Sequence, residues 1–391
     1  MTTARLALVP RDGIFCKDGR GWHTSASGRG HGLDWPWPST ILGALRTAWG
    51  RAEEGRRGTL FGPDDWRTRT AGIRLGRTLV LRRPIGAHWT TGDAVWPVPA
   101  DAVWLEDRSD VERLDPVPVG LPTLGRDDDE ARENLMRPVL AGAGKPIASP
   151  RWWSSEELST WLSGASVPVR RPDEALATTR RLQAHVGILA EEFTADEGVL
   201  FSHDVIETLD PKAEWAIGLE VVLPEGDLSA VATLGSDARL VRIESLSGAL
   251  FEPPARVIEA FRVPSAGLRL VAVTPICFER GWLPDGIDGH GATYRGRLPG
   301  IEHEVVLRAA FVPGPIHVSG WDMAANHGKG APKPTSRMVA PGAVYFFERT
   351  DGQPFGEADA RALWLAAFGS RTDEGFGRVV AGVWVPTGDG R

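Results

Sequence analysis

The chain has 391 residues, of which 42% are hydrophobic and 24% are charged, a composition that excludes a largely disordered protein. Its length is sufficient for two domains of moderate size. The net charge of −7 alone argues against a nucleic-acid partner, but residues 1–90 carry 15 Lys and Arg against 7 Asp and Glu, whereas the remaining residues carry 29 against 44. We therefore expect one basic surface on an otherwise acidic protein.

The sequence contains no targeting or membrane segment that we can identify. It has no run of eighteen apolar residues, and its N-terminus, MTTARLALVPRDG, lacks the apolar region of a secretory signal. We therefore predict a cytoplasmic protein without a membrane partner. Its two cysteines, Cys16 and Cys277, are far apart and belong to no Cys-x-x-Cys or Cys-His pattern. Two reduced, buried thiols are therefore expected, rather than a disulfide or a cysteine zinc site.

Strand patterns outnumber helix patterns along the chain. Apolar runs typical of strands lie at 5–10, 71–84, 181–189, 214–224, 268–278, 303–312, 315–321, 342–349 and 377–385. Helices are predicted at 39–54, 154–163 and 357–369, the second with a capping box of Ser154 and Glu157 and a terminal Gly164. The stretch 84–180 is rich in Pro and Gly, and we interpret it as an irregular insertion. Strands and helices that do not alternate strictly predict the α+β class.

Two Trp-Pro pairs precede the first helix, in the stretch DWPWPSTILGALRTAWGR. Pro36 and Pro38 keep the chain extended, so the helix is expected to begin at Ser39 or Thr40. Its apolar face leaves Arg46 on another side. The first turn has no acidic residue to offset the free N–H groups and the helix dipole, so it suits a phosphate. An ordinary capped helix without a ligand fits the local sequence as well.

Glycine-bearing loops with basic residues occur at three places. The loop GSRTDEGFGR at 369–378 follows the last helix, and its glycines would let the backbone approach a phosphate chain while its Phe side chain stacks on a base. A plain helix-to-strand loop is the alternative interpretation. The stretches GRGHG at 28–32 and NHGKGAPKPTSR at 326–337 have a similar character. Of the 44 basic residues, 39 are arginines, which suits RNA, although a GC-rich genome explains the bias equally well.

Motifs for nucleotide cofactors and for catalysis are missing from the sequence. VLAGAGKP at 139–146 lacks two required residues of a P-loop, and GFGRVVAG has Val380 where the dinucleotide motif needs its third glycine. His303 lies between two glutamates on a predicted strand, where alternation directs it away from both. His203 and Asp204 form an isolated pair that we interpret as a loop end. We therefore expect no cofactor, no metal ion, no catalytic residue and no small-molecule substrate.

Five segments in order resemble the third subunit of the Cmr complex, a RAMP-superfamily protein of type III-B CRISPR effectors. They are WPSTILGALRTA, HVGILAEEFTADEGVLFSHDVI, VSGWD followed by KP, VAPGAVYFF, and GFGRVVAGVW. The resemblance implies two packed ferredoxin-like, RRM-related RAMP domains and no nuclease activity. We place these domains at 1–228, including the insertion at 84–180, and at 229–391, including the glycine-rich loop at 369–378.

The resemblance also implies partners and a site. Members of this family hold the repeat-derived 5′ tag of the crRNA, and they join a large polymerase- or cyclase-like subunit to a backbone RAMP subunit. The candidate RNA-binding residues are then Arg29, Ser39, Thr40, Arg46, Lys329, Lys333, Arg337, Arg371, Gly375, Phe376, Gly377 and Arg378.

Three alternatives stay open. The chain could be a RAMP endoribonuclease that processes CRISPR repeat RNA, in which His31 of GRGHG accepts the 2′-hydroxyl proton. It could be the equivalent capping subunit of a sister type III system. It could also be a protein scaffold that makes no RNA contact.

Overall fold

The computed structural model describes residues 1–17, 28–118, 132, 134–170, 174–210, 212–226, 228–263, 265–322, 325 and 330–386. Within them, the α-helices are α1 (Pro38–Arg57), α2 (Pro63–Thr70), α3 (Ser155–Leu162), α4 (Ala255–Ala260) and α5 (Glu357–Leu363). The first strands are β1 (Thr2–Pro10), β2 (Arg29–Gly30), β3 (Arg74–Pro84), β4 (Ala94–Pro97), β5 (Ala102–Val103), β6 (Glu112–Val117), β7 (Arg137–Leu140), β8 (Trp152–Ser154), β9 (Thr179–Ile188), β10 (Ala195–Glu207), β11 (Ala213–Leu223), β12 (Val231–Leu234) and β13 (Arg239–Ser245). The others are β14 (Gly267–Ala272), β15 (Ile287–His290), β16 (Thr293–Arg297), β17 (Glu304–Phe311), β18 (Pro315–Val318), β19 (Trp321–Asp322), β20 (Ala331–Pro332), β21 (Ser336–Val339), β22 (Val344–Arg349), β23 (Ala366–Ala367) and β24 (Arg378–Trp384). Strands outnumber helices among these residues, which confirms the mixed, strand-rich class.

The first large sheet is antiparallel, with the strand order β12-β13-β1-β11-β3-β4-β8. Both β1 and β3 pair with β11, so they run parallel to each other, and α1 makes the crossover between them. The helix covers one face of the sheet because Ile41, Leu42 and Leu45 are buried in one cluster with Leu219 and Val221 of β11. An amphipathic helix thus buries its apolar side on the sheet while its polar side stays accessible.

The second large sheet has the order β15-β16-β17-β22-β14-β24-β23. In each sheet, four strands numbered along the chain lie side by side in the order four-one-three-two: β13-β1-β11-β3 in the first and β24-β14-β22-β17 in the second. The first sheet has a helix, α1, before its second strand, whereas the second has a helix, α5, before its fourth strand. The β15–β16 hairpin occupies the other crossover of the second sheet.

The insertion connects the two sheets. Its strands β4 and β8 extend the first sheet, while α3 packs against β24 of the second sheet, where a Cβ on Gly382 would lie 2.7 Å from Leu162 Cδ2. Asp101, which is fully buried, forms an ion pair of 3.0 Å with Arg269 on β14. Its other oxygen accepts a hydrogen bond of 2.9 Å from the indole of Trp161. A single buried cluster consequently runs through the insertion into both sheets.

The three predicted helices differ in how well their bounds agree with the structure. The first two are confirmed, and the Ser154 backbone N–H donates to Glu157 at 2.8 Å in the predicted capping box. The third ends at Leu363 rather than at 369. Leu365 has a φ of 56° and donates its N–H to Val379 O at 2.7 Å, so pairing with β24 replaces the last helical turn.

Several other predictions from the sequence differ from the structure. The insertion contains strands of two to six residues, which are too short to produce a clear alternation. His203 and Asp204 lie within strand β10 rather than at a loop end. Cys277 is half-buried, whereas burial raises the pKa of the Cys16 thiol to about 12. None of the described helices combines the length and hydrophobicity that crossing a membrane requires.

Candidate nucleic-acid interface

The glycine-rich loop at 369–378 docks against the first sheet and the start of α1. Leu75, at the start of β3, forms a parallel bridge with Glu374 and donates its N–H to Asp373 O at 2.8 Å. A Cβ on Gly375 would lie 2.9 Å from Leu75 Cδ2 and 3.1 Å from Pro38 Cβ. The structure therefore brings together two candidate RNA-binding elements that are more than 300 residues apart in the sequence.

The start of α1 lies beside this loop. The helix begins at Pro38 with Trp37 as an extended N-cap, one residue earlier than predicted, because proline is favoured in the first turn. No side chain caps it, its first turn has no acidic residue, and Ser39 and Thr40 are half-buried. The positive end of the helix dipole therefore lacks a compensating carboxylate of its own.

Arg46 lies on α1, close to the loop. Its Nη2 donates to Ile73 O at 3.4 Å, a long hydrogen bond, and its Nε is buried with no acceptor among the described residues. Burial lowers the pKa of this guanidinium, and the carboxylate of Glu374 opposes that shift. Arg46 is thus a cation whose hydrogen-bonding capacity the described residues use only in part.

Arg371 is an internal support of the loop rather than a free clamp. Its Nε and Nη2 each donate to the Glu374 carboxylate at 2.8 Å, and Nη1 donates to Ser336 Oγ at 3.2 Å. Hydrogen bonding to Glu374 raises the pKa of Arg371. The predicted role of Arg371 as an RNA clamp is therefore corrected, because its charge is already neutralised within the loop.

The side chains of Phe376 and Arg378 also make contacts inside the protein that stabilise the loop. Phe376 is fully buried with Val318 and Met338, so the predicted stacking on a base is wrong. Arg378 Nη2 donates to Thr372 O at 2.9 Å. Burial, with a further contribution from the nearby Arg77, lowers the pKa of Arg378 to about 10. Removal of either side chain is therefore expected to disturb the conformation of the loop itself.

The two glycines of the loop use their amides inside the protein. Gly375 N–H donates to Thr372 O at 3.1 Å, and Gly377 N–H donates to Pro275 O at 2.8 Å. Their φ values are 91° and 79°, which only glycine adopts readily. The expectation that these glycines admit a phosphate chain is therefore corrected: they permit close packing of the loop against its own protein.

Two further predicted cations are exposed beside the loop. Lys333 and Arg337 form no ion pair with any residue that the structure describes. Burial raises the pKa of the Glu374 carboxyl, but the hydrogen bonds from Arg371 and the charges of Arg371, Lys333 and Arg46 together outweigh burial and lower it. Lys333 is therefore close to Glu374. Arg337 follows Ser336, the hydroxyl partner of Arg371. We call Ser39, Thr40, Arg46, Lys333 and Arg337 the basic corner.

The remaining two predicted residues cannot be assigned to the basic corner. Arg29 lies in β2, whose backbone pairs with β10 in a separate three-stranded sheet, and its side chain is not among those described. Lys329 lies outside the described residues.

A cleft of about 1000 Å³ opens beside the start of α1. Both sheets and the insertion line it, and its wall is mostly apolar, with Trp35, Trp37, Pro313 and Ile316 among its side chains. The cleft and the basic corner are adjacent because Trp37 and Pro38 border both.

Comparisons with known proteins identify a family. No curated protein matches the chain. A chain in a cryo-EM structure of the type III-B Cmr-beta bound to cognate target RNA and AMPPnP is 11% identical, with a TM-score of 0.41, over 88% of this chain and 86% of that one. A second, from the type III-B Cmr-beta bound to cognate target RNA, is 11% identical, with a TM-score of 0.42, over 89% and 86%. The family model of the CRISPR-associated protein Cas_Cmr3 matches residues 6–384, so the chain belongs to the Cas_Cmr3 family.

Proposed function

We propose that this protein is a non-catalytic, RNA-binding subunit of a type III-B CRISPR effector complex. In this role it holds the repeat-derived 5′ tag of the crRNA and links the large polymerase-like subunit to the backbone RAMP subunit. Family membership supports the assignment to a CRISPR system. The observation that carries the RNA-binding role is the docking of the glycine-rich loop on Pro38 and Leu75, which gathers the basic corner from distant parts of the chain.

The strand order supports two ferredoxin-like RAMP domains. A β-α-β-β-α-β unit with the order four-one-three-two fits both large sheets, although each has a helix at only one of its two crossovers. We propose a domain boundary between Ser245 and Ala255 rather than after 228, because β12 and β13 pair within the first sheet.

The tag would be held through both backbone and bases. The uncapped start of α1 and the cations of the basic corner suit phosphates, because the N–H groups, the helix dipole and the side-chain charges all favour an anion. Trp35 and Trp37 in the neighbouring cleft provide aromatic surfaces on which unpaired bases can stack. A constant tag can then be recognised by its bases, whereas the variable guide that follows is held by backbone contacts.

Lys333→Ala and Arg337→Ala are each expected to weaken retention of the 5′ tag in the assembled complex. Each lost phosphate contact should reduce the slope of log affinity against log salt by about 0.7 to 1, because fewer counterions are released on binding. A labelled guide RNA and a salt titration of each variant measure the slope. Lys145→Ala is the matched control, since this lysine is 78% exposed and belongs to the insertion. Wild-type slopes for both corner variants would exclude the basic corner as the phosphate site.

The isolated protein is expected to bind RNA weakly and to cleave none. Its net charge of −7 opposes RNA at long range, so affinity should rise when the large subunit is present. Filter binding at physiological salt, with and without that subunit, measures this difference. Nanomolar binding by the isolated chain would contradict the proposal. Cleavage of repeat RNA that His31→Ala abolishes would favour the endoribonuclease, and crosslinking of the tag to other subunits alone would favour the scaffold.

A further inference from the structure

Three potential metal ligands that the proposed function does not use meet at the β9–β10 hairpin. His185 lies on β9, His203 lies on β10, and Asp237 lies in the turn before β13. One ligand atom from each residue lies within 4.8 Å of the other two. In the strand register His185 is opposite Phe201, so His203, two residues further along β10, is on the same face of the hairpin.

Aromatic contacts hold both imidazole rings in place. His203 is only 4% exposed, and Phe15 stacks on it with centroids 4.1 Å apart and planes 11° apart. His185 stacks on Phe201 with centroids 5.0 Å apart and planes 5° apart. Stacking on these aromatic partners fixes the plane of each imidazole ring. The Nε2 atom of His185 is buried and has no hydrogen-bond partner among the described residues.

The charges around the rings are compatible with a cation. The carboxylate of Asp237 lies 3.6 Å from Nδ1 of His203 and supplies a negative charge that favours a bound cation. Arg239 is the opposing positive charge, 3.6 Å from the Asp237 carboxylate. Its guanidinium also donates to Asp12 and, at 2.9 Å, to Gln183. Arg239 therefore keeps two acceptors when Asp237 turns towards an ion.

We propose that His185, His203 and Asp237 bind one divalent transition-metal ion of the zinc type. Two imidazoles and one carboxylate are suited to Zn²⁺, with water as a fourth ligand, and they are poorly suited to Mg²⁺, which prefers an oxygen shell. Nitrogen and oxygen ligands at 2.0–2.1 Å from a tetrahedral ion lie roughly 3.3 Å apart. The ligand atoms must therefore approach one another by up to about 1.5 Å, and Asp237, whose side chain is 41% exposed, has solvent on one side into which it can rotate. The ion would tie the hairpin to the turn between β12 and β13 of the first sheet.

The test is a titration of the metal-stripped full chain with ZnCl₂, followed by calorimetry and by elemental analysis after dialysis. One equivalent of zinc is expected at micromolar affinity or tighter, together with a higher melting temperature. His185→Phe, which keeps the stack on Phe201, and Asp237→Asn should each weaken binding at least tenfold. Both variants should melt like the wild type when no metal is present, which separates loss of the site from misfolding.

The matched control is His303→Gln, since His303 pairs at 3.6 Å with one carboxylate, Asp359, and should not contribute to binding. Co²⁺ supplies a second measurement, because a tetrahedral site with nitrogen ligands gives intense visible absorption that both site variants should lose. Failure of the wild type to take up either ion would overturn the proposal. So would wild-type affinity in both site variants, or equal loss in the His303 control. None of these outcomes depends on RNA binding.

Discussion

Gly377→Ala is expected to lower the free energy of unfolding by at least about 3 kcal/mol. Gly377 has a φ of 79°, and a side chain in this left-handed region costs roughly 1–2 kcal/mol. A Cβ there would also overlap the carbonyl oxygen of Phe368, whose N–H donates to Gly377 O at 2.9 Å. The backbone at Gly377 cannot move away from Phe368 without breaking this hydrogen bond. Urea denaturation followed by tryptophan fluorescence measures the loss.

Gly352→Ala is the control that separates backbone strain from overlap. Gly352 has a φ of 69°, but nothing lies within 4 Å of the position its Cβ would take, so a loss of only about 1 kcal/mol is expected. Equal losses at the two positions would mean that close packing of the loop is unimportant. In the assembled complex Gly377→Val should lower tag binding with little change in salt slope, because it displaces the loop without removing a charge.

Asp101→Ala is expected to destabilise the protein by about 3–5 kcal/mol. Asp101 and Arg269 are 0% and 2% exposed, and removal of one partner leaves the other charge buried without compensation. The indole N–H of Trp161 would lose its acceptor as well. A second cation, Arg113, lies over the Trp161 ring at 3.6 Å, and burial together with Arg269 lowers its pKa to about 9. Loss of the Asp101 carboxylate would therefore leave two neighbouring guanidinium groups with only the more distant charge of Asp115 to offset their repulsion.

The double variant Asp101→Leu with Arg269→Met tests this explanation. It is expected to be more stable than Asp101→Ala, because replacing both members of the ion pair by apolar groups leaves no unpaired Arg269 charge. Glu357→Ala is the surface control, since Glu357 pairs with Arg262 at 2.9 Å but the two side chains are 38% and 63% exposed. A change of at most about 1 kcal/mol is expected there. If Asp101→Ala costs no more than the control, the ion pair does not join the insertion to the second sheet.

Much of the secondary structure follows from local sequence. Helix α1 is predicted by its Trp-Pro approach and its apolar face, and α3 by its capping box, because these signals act within a few residues. Long strands such as β11 are predicted by their continuous apolar runs. The turn that ends α5 is not predicted, because its cause is a hydrogen bond from Leu365 to Val379 on another strand. At the end of α5, this tertiary hydrogen bond overrides the local preference for helix.

The sequence predicts which kinds of residue form the candidate site, but it predicts the role of each residue only in part. The resemblance to the third Cmr subunit, which the family match confirms, and the basic loops can be seen in the sequence. The sequence does not by itself indicate the cluster of His185, His203 and Asp237, although pairing of residues 179–188 with 195–207 as a hairpin would place both histidines on one face. Asp237 gives no such signal, because the packing of the hairpin beside the first sheet brings it there.

The sequence by itself determined the mixed, strand-rich class, most helix and strand positions, and membership in the Cas_Cmr3 family. These properties depend on periodicity, capping residues and ordered segments, all of which are local in the chain. Only the tertiary structure decided which cations are exposed and which are internal. Arg371 and Arg378 lie among glycines and polar residues, as the arginines of a phosphate-binding loop do. In the structure, however, Glu374 neutralises the charge of Arg371, and Arg378 is largely buried. Burial and ion pairing depend on contacts between residues distant in sequence, such as Gly375 with Pro38, and no local pattern encodes them.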